Sequence, residues 1–265
     1  MNNNPIGVFD SGVGGFTVVK EIFNKLPNEE IIYFGDTARS PYGVRTDREI
    51  LNFSREIVEF LISKNAKLIV IACNTATIAS IDALKAEFDV PIIGVVEPGV
   101  EAALLETKNN RVGLIATDFT VNSKKYENII KSKRTDVKVF GKGCPILVTL
   151  AEDGIIDDEN SYQEVKECLK DLLEYDIDTL ILGCTHFPLL INNIRRSLPD
   201  EIIIVDPAIK TAEATKKVLI DSDMLRNNLN KPKHTFICSG DLERYTKVYN
   251  LVFNEENEIL KKELS

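Results

Sequence analysis

Cysteine is scarce in this chain. Five are scattered over 265 residues, at positions 73, 144, 168, 184 and 238, and no two form a CxxC pair. An odd number at wide spacing fits reduced thiols better than a disulfide frame. Cys184-x-His186 could be half of a metal site, but no second close pair of ligands accompanies it, so no metal is expected. Long apolar runs are missing too: none approaches the roughly 20 residues that span a bilayer. The opening MNNNPIGVFD has no basic segment followed by a long apolar one, the pattern of a signal peptide. A cytoplasmic protein with no membrane partner is expected. Positive charge is also short. Lys and Arg number 32 against 41 Asp and Glu, a net charge of −9, which argues against a nucleic-acid groove or an anionic surface as the main partner. An anionic ligand would have to be held by a local concentration of donors.

A phosphate loop is absent as well. FDSGVGGFTV, residues 9–18, has Gly12 and Gly14 but Thr17 where GxGxxG needs its third glycine, and no GK[ST] occurs. These glycines are read as letting backbone approach a small ligand, with Asp10 moving protons or orienting a neighbouring thiol.

What is present is ordinary in amount and specific in order. With 44% hydrophobic and 28% charged residues, the chain can build one large domain or two modest ones. Short β-branched runs are expected as strands at 6–10, 31–34, 68–72, 92–96, 112–116, 137–140, 179–183 and 202–205. They are too continuously apolar for half-exposed strands and suit parallel sheets covered on both faces. Helical stretches such as 47–63 lie between them. The alternation reads as α/β.

The strands fall into two similar sets. Gly7 and Gly113 sit inside the first strand of each. IVIACNT (69–75) lines up with LILGCTH (180–186), and VVEPGVEAA (95–103) with IVDPAIKTA (204–212). Cys73 thus pairs with Cys184, and Glu97-Pro98 with Asp206-Pro207. Three matches in one order point to two related, pseudo-symmetric lobes. Ligands bind outside the carboxyl ends of parallel strands, where each cysteine stands, before an expected helix N-terminus. Two such lobes face to face put two thiols on opposite walls of one cleft. One thiolate can then remove a proton from Cα of a small carboxylate while the opposite thiol returns one, inverting the centre by general acid–base catalysis. Asn74, Thr75 and Thr77, with Thr185 and His186, supply donors for the carboxylate, and helix-start amides help hold anions and lower a thiol's pKa.

GVFDSGVGG (7–15), YFGDTARSPYG (33–43), ACNTAT (72–77), GVVEPG (94–99) and GCTHFPLL (183–190) together resemble the glutamate racemases, in the family's order and over most of the chain to about residue 210. The resemblance implies a cofactor-independent enzyme that interconverts L- and D-glutamate, the latter used for bacterial peptidoglycan, and often a homodimer. It implies a first lobe of residues 1–98 plus 211–265, a second of 99–210, and a site between them. It assigns the catalytic thiols to Cys73 and Cys184. Substrate contacts fall on Asp10, Ser11, Tyr42, Gly43, Asn74, Thr75, Thr185 and His186, and auxiliary acid and imidazole groups on Asp10, Glu152 and His186. The departures are Phe16 for the usual Leu, Phe187 for Tyr, and Thr149 and Ala151 for Pro and Val. A Glu followed two residues later by Gly is retained.

Other residues take plainer readings. Cys144, Cys168 and Cys238 are expected to pack, and His234 to lie on a surface or loop. Asp36, Arg39 and Arg45 read as a solvated turn, and SPYG (40–43) as a turn or as a cover over the substrate. Glu97-Pro98 and Asp206-Pro207 end strands and start helices. The tail NEENEILKKELS (254–265) reads as a charged helical end. Two other functions fit the same residues: racemisation of aspartate, and non-catalytic binding of a small acid, which needs a cleft but not both thiols.

Overall fold

The computed structural model describes residues 1–228, 230–254 and 256–264. The first run of elements is β1 (Ile6–Asp10), α1 (Phe16–Lys25), β2 (Ile31–Gly35), a 3₁₀ turn (Tyr42–Val44), α2 (Asp47–Ser63), β3 (Leu68–Ile71), α3 (Asn74–Glu87), β4 (Ile92–Gly94) and α4 (Val96–Glu106). The second is β5 (Arg111–Ala116), α5 (Asp118–Asn122), α6 (Lys125–Lys133), β6 (Lys138–Gly143), α7 (Pro145–Asp153), α8 (Glu159–Leu173), β7 (Thr179–Gly183), a 3₁₀ run (Phe187–Leu190), α9 (Ile191–Arg196) and β8 (Ile203–Val205). The chain closes with α10 (Pro207–Asp221), β9 (Thr235–Cys238), α11 (Leu242–Val252) and β10 (Glu258–Lys261).

Among the described residues, the strands form two wholly parallel sheets. One has the order β10-β9-β2-β1-β3-β4 and the other β6-β5-β7-β8. Without β9 and β10 the two orders are the same, which is the internal duplication seen as topology. The continuous apolar runs follow from burial on both faces. Along β1, Ile6 and Val8 enter one core cluster and Phe9 another; along β7, Leu180 and Leu182 enter one and Ile181 another. Successive side chains point to opposite faces, so each sheet carries apolar cover on both.

Helix starts are locally encoded. Thr46 and Glu49 form a reciprocal capping box at α2. The Asp206 side chain accepts from the Ala208 N–H at 2.9 Å while Pro207 opens α10, and Glu97-Pro98 lies in the first turn of α4.

Four expectations change. The run 92–96 is strand only to Gly94, because the chain turns through Val95 into α4. Behind Cys184 stands a turn and a 3₁₀ run, not an α-helix start; Pro188 lacks an N–H and biases Phe187 away from α. The tail is not helical over its length: Glu258–Lys261 pairs with β9, and Ile259 packs on the first core. Its residues 255 and 265 lie outside the described ones. Finally, Asp36 and Arg39 are no solvated turn. Asp36 is buried and accepts from Arg39 Nε at 2.6 Å, Tyr42 Oη at 2.5 Å and Ser239 Oγ at 2.9 Å. Arg45 is half-buried after the 3₁₀ turn.

Candidate active site

The site forms where the carboxyl ends of the two sheets meet. After β1 the chain turns through Asp10 and Ser11. Asp10 is fully buried; its Oδ1 accepts from the Gly12 N–H at 2.9 Å and its Oδ2 from the Thr185 hydroxyl at 3.0 Å. Burial raises the Asp10 carboxyl above its ordinary value, against the pull of His186 and of these two donors.

Cys73 follows β3 and caps α3. Its sulfur accepts from the Ala76 N–H at 3.4 Å and donates to Ser11 Oγ at 3.5 Å. Burial, then the charge of Asp10, pushes its thiol up to about 12, and Cys184 adds to the rise. The next residues on α3 reach toward the second sheet. Asn74 Oδ1 accepts from Tyr126 Oη at 2.7 Å, and Thr75 Oγ1 lies 3.1 Å from Thr117 Oγ1 and 3.4 Å from Thr120 Oγ1.

Cys184 directly follows β7. His186 Nδ1 lies 3.5 Å from its sulfur, and His186 Nε2 lies 2.9 Å from Glu152 Oε1 on α7. Burial opposes charge on this imidazole, but Cys184 and Glu152 outweigh it and hold the ring protonated well above its ordinary range. Burial likewise raises the Glu152 carboxyl, and His186, Arg244 and Ser40 together bring it below its ordinary range. Cys73 contacts Ser11, and Asp10, the residue before Ser11, accepts from Thr185, the residue after Cys184, so two contacts bring the segments carrying both cysteines together across the sheets.

The glycines also admit close packing across the two sheets. A Cβ on Gly12 would stand 2.3 Å from Glu152 Oε1, and one on Gly14 would stand 2.4 Å from Thr185 Oγ1 and 2.8 Å from His186 Nδ1. The backbone approach they permit here is of the loop after β1 onto Glu152, Thr185 and His186. Tyr42 is buried with its hydroxyl held by Asp36, and the Gly43 backbone lies against Thr117. Asp10, Ser11, Thr185 and His186 thus stand close together with Cys73 and Cys184, while Tyr42 is held by Asp36 and Asn74 by Tyr126.

Cys144, Cys168 and Cys238 are buried packing residues, and His234 sits in a loop, its ring tilted against Phe23, and accepts from the Ile31 N–H at 3.3 Å. Sequence reading missed Thr117, Thr120 and Tyr126, which bond to α3 from the second lobe, and Arg244, which bonds to Glu152. For Thr117 a signal existed: the register that pairs Gly7 with Gly113 also pairs Ser11 with Thr117.

A fold of two matched parallel sheets with a thiol behind one strand of each is found in a known class of enzymes. The profile of the Asp/Glu/Hydantoin racemases matches residues 6–215, and the chain belongs to that family. Within it, glutamate racemases are similar to this chain at 40–44% identity. That of Thermoanaerobacter pseudethanolicus is 44% identical over 258 residues, covering 97% of this chain and 96% of its own. The crystal structure of a glutamate racemase isoform from Bacillus anthracis superposes with a TM-score of 0.95 at 39% identity, over 100% of this chain and 99% of that one. The glutamate racemase of Francisella tularensis in complex with D-glutamate gives 0.91 at 33% identity, over 100% and 98%.

Proposed function

We propose that this chain is an isomerase that interconverts L- and D-glutamate by proton transfer at Cα between Cys73 and Cys184, with no added cofactor. The observation that carries the reading is the pair of contacts Cys73–Ser11 and Asp10–Thr185, made by residues next to one another and next to Cys184 in the chain. It ties two thiols from separate sheets to one polar centre, with an imidazole–carboxylate pair beside the second.

In this reading one thiolate takes the hydrogen from Cα and the opposite thiol returns one from the far face. On the Cys184 side, His186 supplies a proton-bearing partner for an anionic sulfur, and Glu152 holds that ring. On the Cys73 side, the Asp10 charge opposes thiolate formation until the substrate ammonium enters and offsets it. Asn74, Thr75 and Thr185 bind carboxylate oxygens, and Tyr42 and Gly43 close the cleft. The lobes comprise residues 1–98 plus 211–265 and residues 99–210. The enzyme works as a cytoplasmic homodimer and supplies D-glutamate for peptidoglycan.

The test is incubation of L-glutamate in heavy water without pyridoxal phosphate or metal. Solvent deuterium should appear at Cα of D-glutamate. Inversion without deuterium refutes proton transfer through the thiols, and faster turnover of aspartate than of glutamate moves the reading to the other amino acid. Among the described residues no helix is long and apolar enough to cross a membrane.

A further inference from the structure

Arg244 stands on α11, far along the chain from both thiols, yet it reaches the acid–base group. Its Nε donates to the backbone carbonyl of Glu152 at 3.0 Å, Nη1 lies 3.7 Å from Glu152 Oε2, and Nη2 lies 2.8 Å from Asp153 Oδ1. One turn further along α11, Lys247 Nζ donates to the Asp153 carbonyl at 2.5 Å. Both carbonyls belong to the last turn of α7, where the Leu150 and Ala151 carbonyls accept from the Ile155 and Gly154 N–H groups and those of Glu152 and Asp153 face the two cations at the helix's negative end. α11 packs through Tyr245, Val248 and Tyr249 into the first core, whereas α7 packs through Leu147, Val148 and Leu150 into the second. The contact therefore bridges the two sheets.

We propose that Arg244 is a positioning residue that latches α11 to the end of α7 and holds the Glu152 carboxylate against His186. The ordinary alternative for a side chain 42% exposed is a screened surface pair. Two features distinguish the latch. Arg244 bonds to the Glu152 carbonyl and pairs closely with the Asp153 carboxylate while its Nη1 stands 3.7 Å from the Glu152 carboxylate, and that carboxylate is itself the 2.9 Å partner of His186. The proposal rests on the reading of Glu152 and His186 as the acid–base pair, but its test does not need turnover.

The chain has two histidines, so the His186 titration is readily followed by NMR in the full-length protein. The charged or titratable groups around His186 are Cys184, Glu152 and Asp10, and Glu152 faces Arg244 besides. Removing a cation at fixed geometry makes a nearby imidazole easier to protonate. Releasing Glu152 does the reverse, because His186 loses its carboxylate partner. The latch therefore predicts that Arg244→Ala, and Arg244→Met as a variant that keeps the apolar stem, move the His186 midpoint to lower pH, as Glu152→Gln does. Arg244→Lys should recover part of the loss. Lys247→Met, which removes the neighbouring cation without touching Glu152, should leave the midpoint in place. Glutamate kcat should fall about 10-fold in Arg244→Ala with KM changed less than about 3-fold, a fraction of what general acid–base groups contribute. An unmoved or raised midpoint in the folded Arg244 variants overturns the proposal, as does an equal downward move in Lys247→Met. Loss of racemisation in the wild type would sink the functional reading and leave the titration result standing.

Discussion

Thr185 Oγ1 donates to Asp10 Oδ2 at 3.0 Å, a bond between residues 175 apart in the chain that crosses from the second sheet to the first. Thr185 follows one candidate thiol and Asp10 precedes the serine that bonds to the other. The bond fixes how far apart the two walls stand, and it places a buried carboxylate where both lobes feel its charge.

If the thiols act on opposite faces of one carbon, replacing each has a different consequence. Cys73→Ser and Cys184→Ser should each lower glutamate racemisation by about 10²- to 10⁴-fold. Each variant should still exchange deuterium into one enantiomer at most, and not the same one. Equal exchange into both enantiomers by either single variant contradicts the two-faced arrangement.

The His186–Glu152 pair should give stability a pH window. His186 is raised above its ordinary 6.5, so its contribution is full below 6.5 and is lost as pH rises through the folded value. Glu152 is lowered below 4.5, so its contribution is full above 4.5 and is lost as pH falls through the folded value. The stability difference between wild type and His186→Gln, measured by urea unfolding, should be largest between about pH 4.5 and 6.5 and shrink on either side.

Gly14→Ala should fold but bind its lobes poorly. The added methyl meets Thr185 Oγ1, His186 Nδ1 and the His186 backbone N within 3 Å, so the 184–186 turn must retreat. A loss of about 1–3 kcal/mol in unfolding free energy is expected for such overpacking, with a larger loss of kcat than a melting shift alone explains. Full activity in this variant would show that the loop need not touch the turn.

Tyr126→Phe removes the donor to Asn74 Oδ1 and leaves that buried oxygen unpaired. The cost should be about 1–3 kcal/mol in unfolding free energy. With Asn74 proposed to bind the substrate and carry no proton, KM for glutamate should rise more than kcat falls.

The strands and the duplication were legible because both sheets are parallel and covered on two faces, so each strand is a continuous apolar run. Residues 47–63 were legible as a helix because its cap and apolar stripe lie within its own span. The tail was misread because β10 is an edge strand whose charged residues look helical until β9 offers a ladder. Asp36 was misread because its burial depends on Ser239, 203 residues on.

Local order in the chain decided the class of fold, the two matched halves and which two cysteines stand behind matched strands, because those depend on neighbours within a few residues and on a repeat visible by alignment. Tertiary structure alone decided what surrounds each thiol. Charge, burial and hydrogen bonding act through space, and the groups that set them, Thr185 on Asp10, Glu152 on His186, Thr117 beside Thr75 and Arg244 on Glu152, come from the opposite sheet or from a distant helix.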